Sequence, residues 1–221
     1  MKLFKGTNGR AVVSLCDYSG NWPKPYAEAG YTVIQFDLKH GDDVTDVNGT
    51  IMAILEALGG DTVAGILAAP PCTDFSVSGA QYWPRKDADG TTDKALAILD
   101  ACRLIVAKLR YWEDFKSAWW ALENPVGRIP KLRPNTLGKP LFYFNPCDYA
   151  GYSPEPEADR YTKKTGIWGD CRQPETKPLE PIRVCAQGSW IQKLGGKSER
   201  TKELRSMTPR GFAKAFFLAN P

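Results

Sequence analysis

Four short β-rich runs, separated by stretches with helical spacing, constrain the fold of this chain more than any other feature. The first, Ala11-Val12-Val13-Ser14-Leu15, ends in the turn residues Asp17-Tyr18-Ser19-Gly20, and residues 22–30 then read as a short helix with Pro23 and Pro25 near its start. Tyr31 to Phe36 forms a second run that stops at Asp37, and residues 48–58 carry apolar positions at helical spacing before Gly59-Gly60. Thr62 to Ala69 is the third run and leads straight into Pro70-Pro71-Cys72. After polar, turn-rich residues 77–92, an amphipathic helix is predicted from Thr92 to about Lys116. The fourth run, Ser117 to Leu122, ends at Glu123-Asn124-Pro125. This alternation predicts an α/β chain with a Rossmann-like, doubly wound, mostly parallel sheet, which binds ligands outside the carboxyl ends of its strands. Asp17, Asp37, Cys72 and Glu123 would all gather there.

Beyond Pro125 the sequence is rich in proline, glycine and aromatic residues, with short strands expected at 141–144 and 166–168 and no periodicity from Cys171 to Gly196. A closing helix is expected with Thr208 as its N-cap, Pro209 at its first position, and Phe212, Ala215, Phe216 and Ala219 as its apolar face. The 221 residues are 43% hydrophobic with a net charge of +4, enough for one domain with its own core, and they exclude a disordered or fibrous chain. No apolar run is long enough to cross a bilayer, so no membrane role is expected. The six cysteines form no Cys-x-x-Cys pair and no secretory signal opens the sequence, which together predict a reducing, cytoplasmic setting. Cys147, Cys171 and Cys185 fit no zinc-ligand spacing and His40 is far from them, so no metal is expected.

Two residues carry the chemistry. Two prolines stiffen the backbone before Cys72, and a thiol held at a strand end becomes a nucleophile where a helix start or a cation lowers its pKa. The alternative for Cys72, as for the other cysteines, is a small buried hydrophobe. Glu123 follows an apolar strand, where desolvation raises a carboxyl pKa and lets the group hold a proton near neutrality; its alternative is a carboxylate bonded to loop backbone. An acidic residue, Asp37, about 20 residues beyond the first turn matches the layout of a nucleoside-binding fold. A single glycine in that turn and the lack of a Gly-x-x-x-x-Gly-Lys-Ser/Thr loop argue against a dinucleotide or ATP. A nucleoside cofactor without a pyrophosphate fits better.

Taken in order, these residues resemble the cytosine-5 DNA methyltransferase family. Leu15-Cys16-Asp17-Tyr18-Ser19-Gly20 is similar to its first motif, Pro71-Cys72-Thr73-Asp74-Phe75-Ser76 to its nucleophile loop, and Glu123-Asn124-Pro125 to its Glu-Asn-Val. Lys163-Lys164-Thr165-Gly166-Ile167-Trp168-Gly169 is similar to its arginine-containing strand, and Arg205-Ser206-Met207-Thr208-Pro209-Arg210 to its Arg-x-Leu-Thr-Pro-Arg-Glu segment. The chain departs from the pattern at Thr73, Pro125 and Gly211, where the family has glutamine, valine and glutamate. It also has only about 35 residues between Gly169 and Leu204, where the family carries a target-recognition domain.

The resemblance implies S-adenosyl-L-methionine as cofactor, held by Cys16, Asp17, Tyr18, Ser19, Gly20, Asp37, Leu38, Asp43 and Pro70. It implies that Cys72 thiolate adds to carbon 6 of cytosine while Glu123 hydrogen-bonds or protonates ring nitrogen 3, so that carbon 5 takes the methyl group and elimination frees Cys72. Asn124 would fix the loop and the base, and Lys164 would stand near the cytosine carbonyl. The implied partner is DNA with its target cytosine flipped out, bound by a monomer, and the compact form suggests a phage or mobile-element gene. Lys163, Lys164, Arg183, Lys193, Arg200, Lys202, Arg205 and Arg210 are candidate phosphate contacts, and residues 77–93, with Tyr82, Trp83, Arg85 and Lys86, a candidate cover for the base. On this reading residues 1–221 form one methyltransferase domain with an irregular target-facing region around 126–204. The same chemistry on a free cytosine nucleotide, RNA or a modified base, and a non-catalytic binding protein, stay open as alternatives.

Overall fold

The structure is a computed structural model that describes residues 1–184, 186, 188–194 and 198–221. Cys185 and part of the 171–196 stretch lie outside the described residues. The architecture is α/β, with a 7-stranded mixed sheet. Its strands are β1 (Lys2–Phe4), β2 (Arg10–Leu15), β3 (Thr32–Phe36), β4 (Thr62–Ala68), β5 (Trp119–Pro125), β6 (Phe142–Phe144) and β7 (Thr165–Asp170), in the order β1-β3-β2-β4-β5-β7-β6. The central β3, β2, β4 and β5 are parallel, whereas β1 and β7 run antiparallel to β3 and β5, and β6 runs antiparallel to β7.

Both faces of the sheet are covered, which explains why its central strands read as continuous apolar runs. Along β2, Ala11, Val13 and Leu15 pack into one core cluster while Val12 packs into the other. The first face is covered by α2 (Val47–Leu58) and α4 (Thr91–Tyr111), which bury Ile51, Ile54, Leu99, Cys102 and Ile105 against it. The second is covered by α1 (Lys24–Glu28), the 3-10 segment Pro146–Tyr152 and the closing helix α9 (Arg210–Ala219). Four shorter helices complete the chain: α3 (Trp83–Ala88), α5 (Ile129–Leu132), α6 (Pro156–Asp159) and α7 (Trp190–Lys193). A fifth, α8 (Glu199–Ser206), precedes α9. Among the described residues no helix is long and apolar enough to cross a membrane.

Three expectations need correction. The long helix α4 stops at Tyr111, because Trp112 adopts an extended conformation (φ −77, ψ 139) and a 3-10 turn follows at Glu113–Phe115. The N-cap of α9 is Pro209, not Thr208, and no side chain caps it. Asp159 does that work from a distance: its Oδ2 accepts the Gly211 amide at 2.7 Å. A Cβ at Gly211 would lie 2.3 Å from the Tyr149 carbonyl oxygen, so the glutamate of the resembled pattern has no room here. The polar lead-in also supplies β1, a short edge strand with no apolar run to announce it.

Aromatic packing holds α9 in place. Phe212 stacks on Phe144 with centroids 3.9 Å apart, and Phe216 meets both Trp22 and Trp119 at 5.5 Å. The Tyr26 hydroxyl donates to the Asn220 carbonyl at 2.7 Å, and the Asn220 side chain accepts from the Arg172 amide and donates to its carbonyl. Phe216→Ala is expected to cost about 3–5 kcal/mol of stability. Leu218→Ala, on the exposed side of the same helix, should stay within about 0.5 kcal/mol. Urea unfolding of the two variants checks this contrast.

Candidate functional site

The register of the parallel strands lines up Phe36, Leu15, Ala68 and Leu122 across the sheet. The residues just beyond them, Asp37, Cys16, the Ala69-Pro70 step and Glu123, therefore share one edge. The chain moves from β2 outward to β3 and then back to β4 on the other side of β2, so this edge includes the place where an open α/β sheet forms its crevice.

The turn after β2 is wound around Asp17. Its carboxylate accepts from the Ser19 hydroxyl at 2.6 Å, the Gly20 amide at 3.0 Å and the Trp22 amide at 3.2 Å. Burial nevertheless pushes the Asp17 carboxyl up, against the pull of those donors. Asp17 thus shapes the turn from within, with Ser19 and Gly20 as its partners, while Tyr18 stands exposed. Gln35 holds the turn from β3 by donating to the Asp17 and Tyr18 carbonyls. Cys16 sits at φ 59, the one non-glycine residue with positive φ among those described, and its sulfur lies 3.8 Å from that of Cys102.

Asp37 is half-buried, and its Oδ1 accepts the Lys39 amide at 2.9 Å, which closes a tight turn. Its Oδ2 meets no donor among the described residues. Leu38 beside it is 70% exposed, an apolar face next to a carboxylate. Asp43 is exposed, and the Thr45 hydroxyl and amide hold its carboxyl below the usual range. The Tyr18 ring packs near the His40 ring at 5.0 Å and under Lys39 Nζ at 4.7 Å, so the turn after β2 and the turn after β3 touch.

Across the crevice, Asn124 is fully buried and donates to the Pro70 carbonyl at 3.0 Å, which ties the end of β5 to the approach to Cys72. The Cys72 carbonyl accepts the Phe75 and Ser76 amides, a tight turn anchored by the buried Phe75 ring. Arg128, which the sequence reading did not single out, staples this loop down. Its Nε donates to the Asp74 carbonyl at 3.0 Å, and its other nitrogens reach Asp87 at 2.8 Å and the Thr92 hydroxyl at 2.7 Å. Gly127 lets the two segments meet, since a Cβ there would lie 1.8 Å from the Phe75 carbonyl oxygen. Of the expected cover, Trp83 lies against Arg128, with the guanidinium carbon 4.8 Å from the ring centroid. Lys86 pairs with Asp74 and donates to the Thr73 carbonyl. Tyr82 and Arg85 stay exposed.

β5 continues through Glu123, Asn124 and Pro125, which pair with Ile167, Gly166 and Thr165 of β7. The antiparallel return places the residues before Thr165 at the carboxyl edge. Lys164 turns outward, with its ammonium 5.1 Å from the centroid of the Tyr143 ring. Lys163 is the cation that faces the site: it is half-buried and draws down the pKa values of both Cys72 and Glu123. Adjacent residues of an extended segment point to opposite sides, so the charge that reaches Cys72 and Glu123 is that of Lys163, while Lys164 lies over Tyr143. Among the other candidate phosphate contacts, Arg210 pairs with Glu155 at 2.7 Å and Arg205 donates to Ser78 at 3.3 Å, while Arg183, Arg200 and Lys202 lie on the surface.

Burial raises the thiol pKa of Cys72 and the carboxyl pKa of Glu123. Each is opposed first by Lys163. At rest the pair therefore favours a neutral thiol and a carboxyl that keeps its proton to higher pH, beside one shared ammonium. That arrangement can deliver a proton to a ring nitrogen while a thiolate forms nearby. Among the described residues no group of His, Cys, Asp or Glu side chains could hold a metal ion. No family model, curated protein or solved structure matches the chain.

The raised Glu123 carboxyl has a consequence for stability. The folded state loses stability as pH rises from the ordinary glutamate range through the raised folded value, because a charge must then be kept buried. Glu123→Gln escapes this loss. Its advantage over the wild type in denaturant midpoint is expected to grow as pH rises above the ordinary glutamate range of about 4, and an unchanging difference would count against a buried, raised carboxyl.

Proposed function

We propose that the protein is an S-adenosylmethionine-dependent methyltransferase acting on carbon 5 of cytosine, with DNA as its substrate and a Rossmann-like methyltransferase fold. The observation that carries this reading is the convergence of Cys72, Glu123 and Lys163 from β4, β5 and the approach to β7 on one sheet edge. The crevice alongside them has the acceptors and surfaces that a nucleoside needs. The open oxygen of Asp37 suits a ribose diol, the exposed Leu38 suits one face of an adenine, and Asp43 suits its amino group. S-adenosylmethionine, when bound, supplies an electrophilic methyl group.

The chain's own residues do the rest. Cys72 gives up its thiol proton to solvent and adds through its sulfur to carbon 6 of the cytosine, and Glu123 gives its proton to, or shares it with, ring nitrogen 3. The electrons of the 5,6 double bond are thereby freed to attack from carbon 5. Lys163 faces both groups, where it offsets the negative charge that develops on the thiolate and can bond the base carbonyl. Asn124 keeps the Pro70-Pro71-Cys72 segment at a fixed height against β5. Loss of the carbon 5 proton to water, return of the nitrogen 3 proton to Glu123 and departure of the thiolate restore the ring. General acid help of this kind supplies about 10²–10⁴-fold.

Incubation with radiolabelled S-adenosylmethionine and duplex DNA, single-stranded DNA, RNA or deoxycytidine nucleotides tests the reading. Label recovered as 5-methylcytosine from DNA is the expected outcome; label in another pool would move the substrate, and no label in any pool would sink the reaction. Cys72→Ser should abolish transfer and leave S-adenosylhomocysteine affinity within about twofold. Asp37→Ala should weaken that affinity about tenfold, roughly 1.4 kcal/mol. Calorimetric titration of the two variants separates the roles.

A further inference from the structure

Helix α8 is polar along most of its length, and at eight residues it is too short to stand by itself. Its position is set by polar contacts at two places. On the cofactor side, Glu203 Oε1 lies 2.6 Å from the ammonium of Lys39, two residues after Asp37. On the nucleophile side, Lys163 Nζ donates to the Arg205 carbonyl at 2.7 Å, and the Arg205 guanidinium donates to the Ser78 hydroxyl at 3.3 Å. Ser78 is in turn 2.7 Å from the hydroxyl of Ser76, at the end of the turn that Cys72 opens. The helix therefore bridges the turn after β3 and the loop after β4.

We propose that Arg205 is a positioning residue for Cys72: its carbonyl fixes Lys163 against the nucleophile, its guanidinium adds a second positive charge over the same loop, and the Glu203–Lys39 pair holds α8 in place to do so. The inference rests on reading Cys72 as the nucleophile. The charged groups that act on the thiol are Glu123 from β5, Lys163 from the segment before β7, and Arg205 from α8. Asp74 and Lys86, on the loop and on α3, are paired with each other at 2.7 Å. Burial and Glu123 oppose thiolate formation, and Lys163 and Arg205 are the groups that favour it. The hydrogen-bond partner of Lys163 is thus a neutral carbonyl and not a carboxylate.

The test needs no methyl transfer. The rate at which iodoacetamide alkylates Cys72 is followed against pH in the full chain by mass spectrometry of the Cys72 peptide. Arg205→Gln is expected to move the profile up by a few tenths of a pH unit and to slow alkylation at neutral pH about twofold, whereas Arg205→Lys retains most of the wild-type rate. Glu203→Gln should shift the profile in the same direction by less, and the swap Lys39→Glu with Glu203→Lys should restore it. A substitution that merely loosened the fold would speed alkylation of Cys72 and of the buried Cys102 alike, and that result overturns the proposal, as does an Arg205→Gln profile that superimposes on the wild type. An alkylation shift without any labelled cytosine would leave the positioning role standing and remove the reaction. Labelled cytosine with no alkylation shift would do the reverse.

Discussion

The antiparallel return of β7 along β5 is the constraint on which the site depends. Were β7 parallel, like its neighbours in the centre of the sheet, its first residues would lie at the amino edge, far from Cys72. Because it runs the other way, the residues before Thr165 arrive where β5 ends, and a lysine meets a carboxylate and a thiol. Three strands that are distant in sequence thus contribute one reactive group each. The pairing of Asn124 with Gly166 fixes the register, so a slip of one residue would exchange Lys163 for Lys164 at the site.

Charge is handled differently on the two sides of the crevice. On the Asp37 side, Asp37 and Asp43 are half-exposed or exposed and each closes a tight turn with one oxygen, while Asp17 is buried inside the turn it shapes. On the Cys72 side, Glu123 is buried and Cys72 and Lys163 are partly so, and burial works against the charged forms of Cys72 and Glu123. The first arrangement suits reversible recognition. The second suits proton transfer at Glu123, whose raised carboxyl brings its charged and neutral forms closer in free energy near neutrality. Arg128 belongs to neither side. It holds the loop of Cys72 to α3 and α4 with its charge matched by Asp87, so that its own field is kept from the thiol.

Much of the sheet was legible because its central strands are buried on both faces and so write unbroken apolar runs into the sequence. Cys72, Glu123 and Asp37 were legible as strand-end residues for the same reason. The choice between Lys163 and Lys164 was not, because it turns on register against a strand some 40 positions earlier in the chain. Arg128 escaped notice since its partners lie 36, 41 and 54 residues away and share no motif with it. The end of α4 was misplaced because the apolar spacing runs past the point where the backbone turns extended, and the capping of α9 because a tertiary contact overrode a local rule. Trp112 finds Phe115 as a ring partner, and Asp159 supplies from another element the acceptor that Thr208 was expected to provide. β1 pairs along an edge of the sheet with three exposed residues, so burial leaves no mark on its sequence.

The seat of α9 bears on how the chain reaches this state. Trp22, Tyr26 and Trp119 belong to the first half or the middle of the sequence, yet the rings that cover them, Phe212, Phe216 and Phe217, stand within its last ten residues. Until those residues arrive, one face of the central strands remains open to water. Contacts of such long sequence separation carry the largest loop-closure cost and form late. During synthesis the α2 and α4 side of the sheet can consolidate first, leaving a half-covered intermediate whose exposed aromatic face is the surface on which association with other chains would begin.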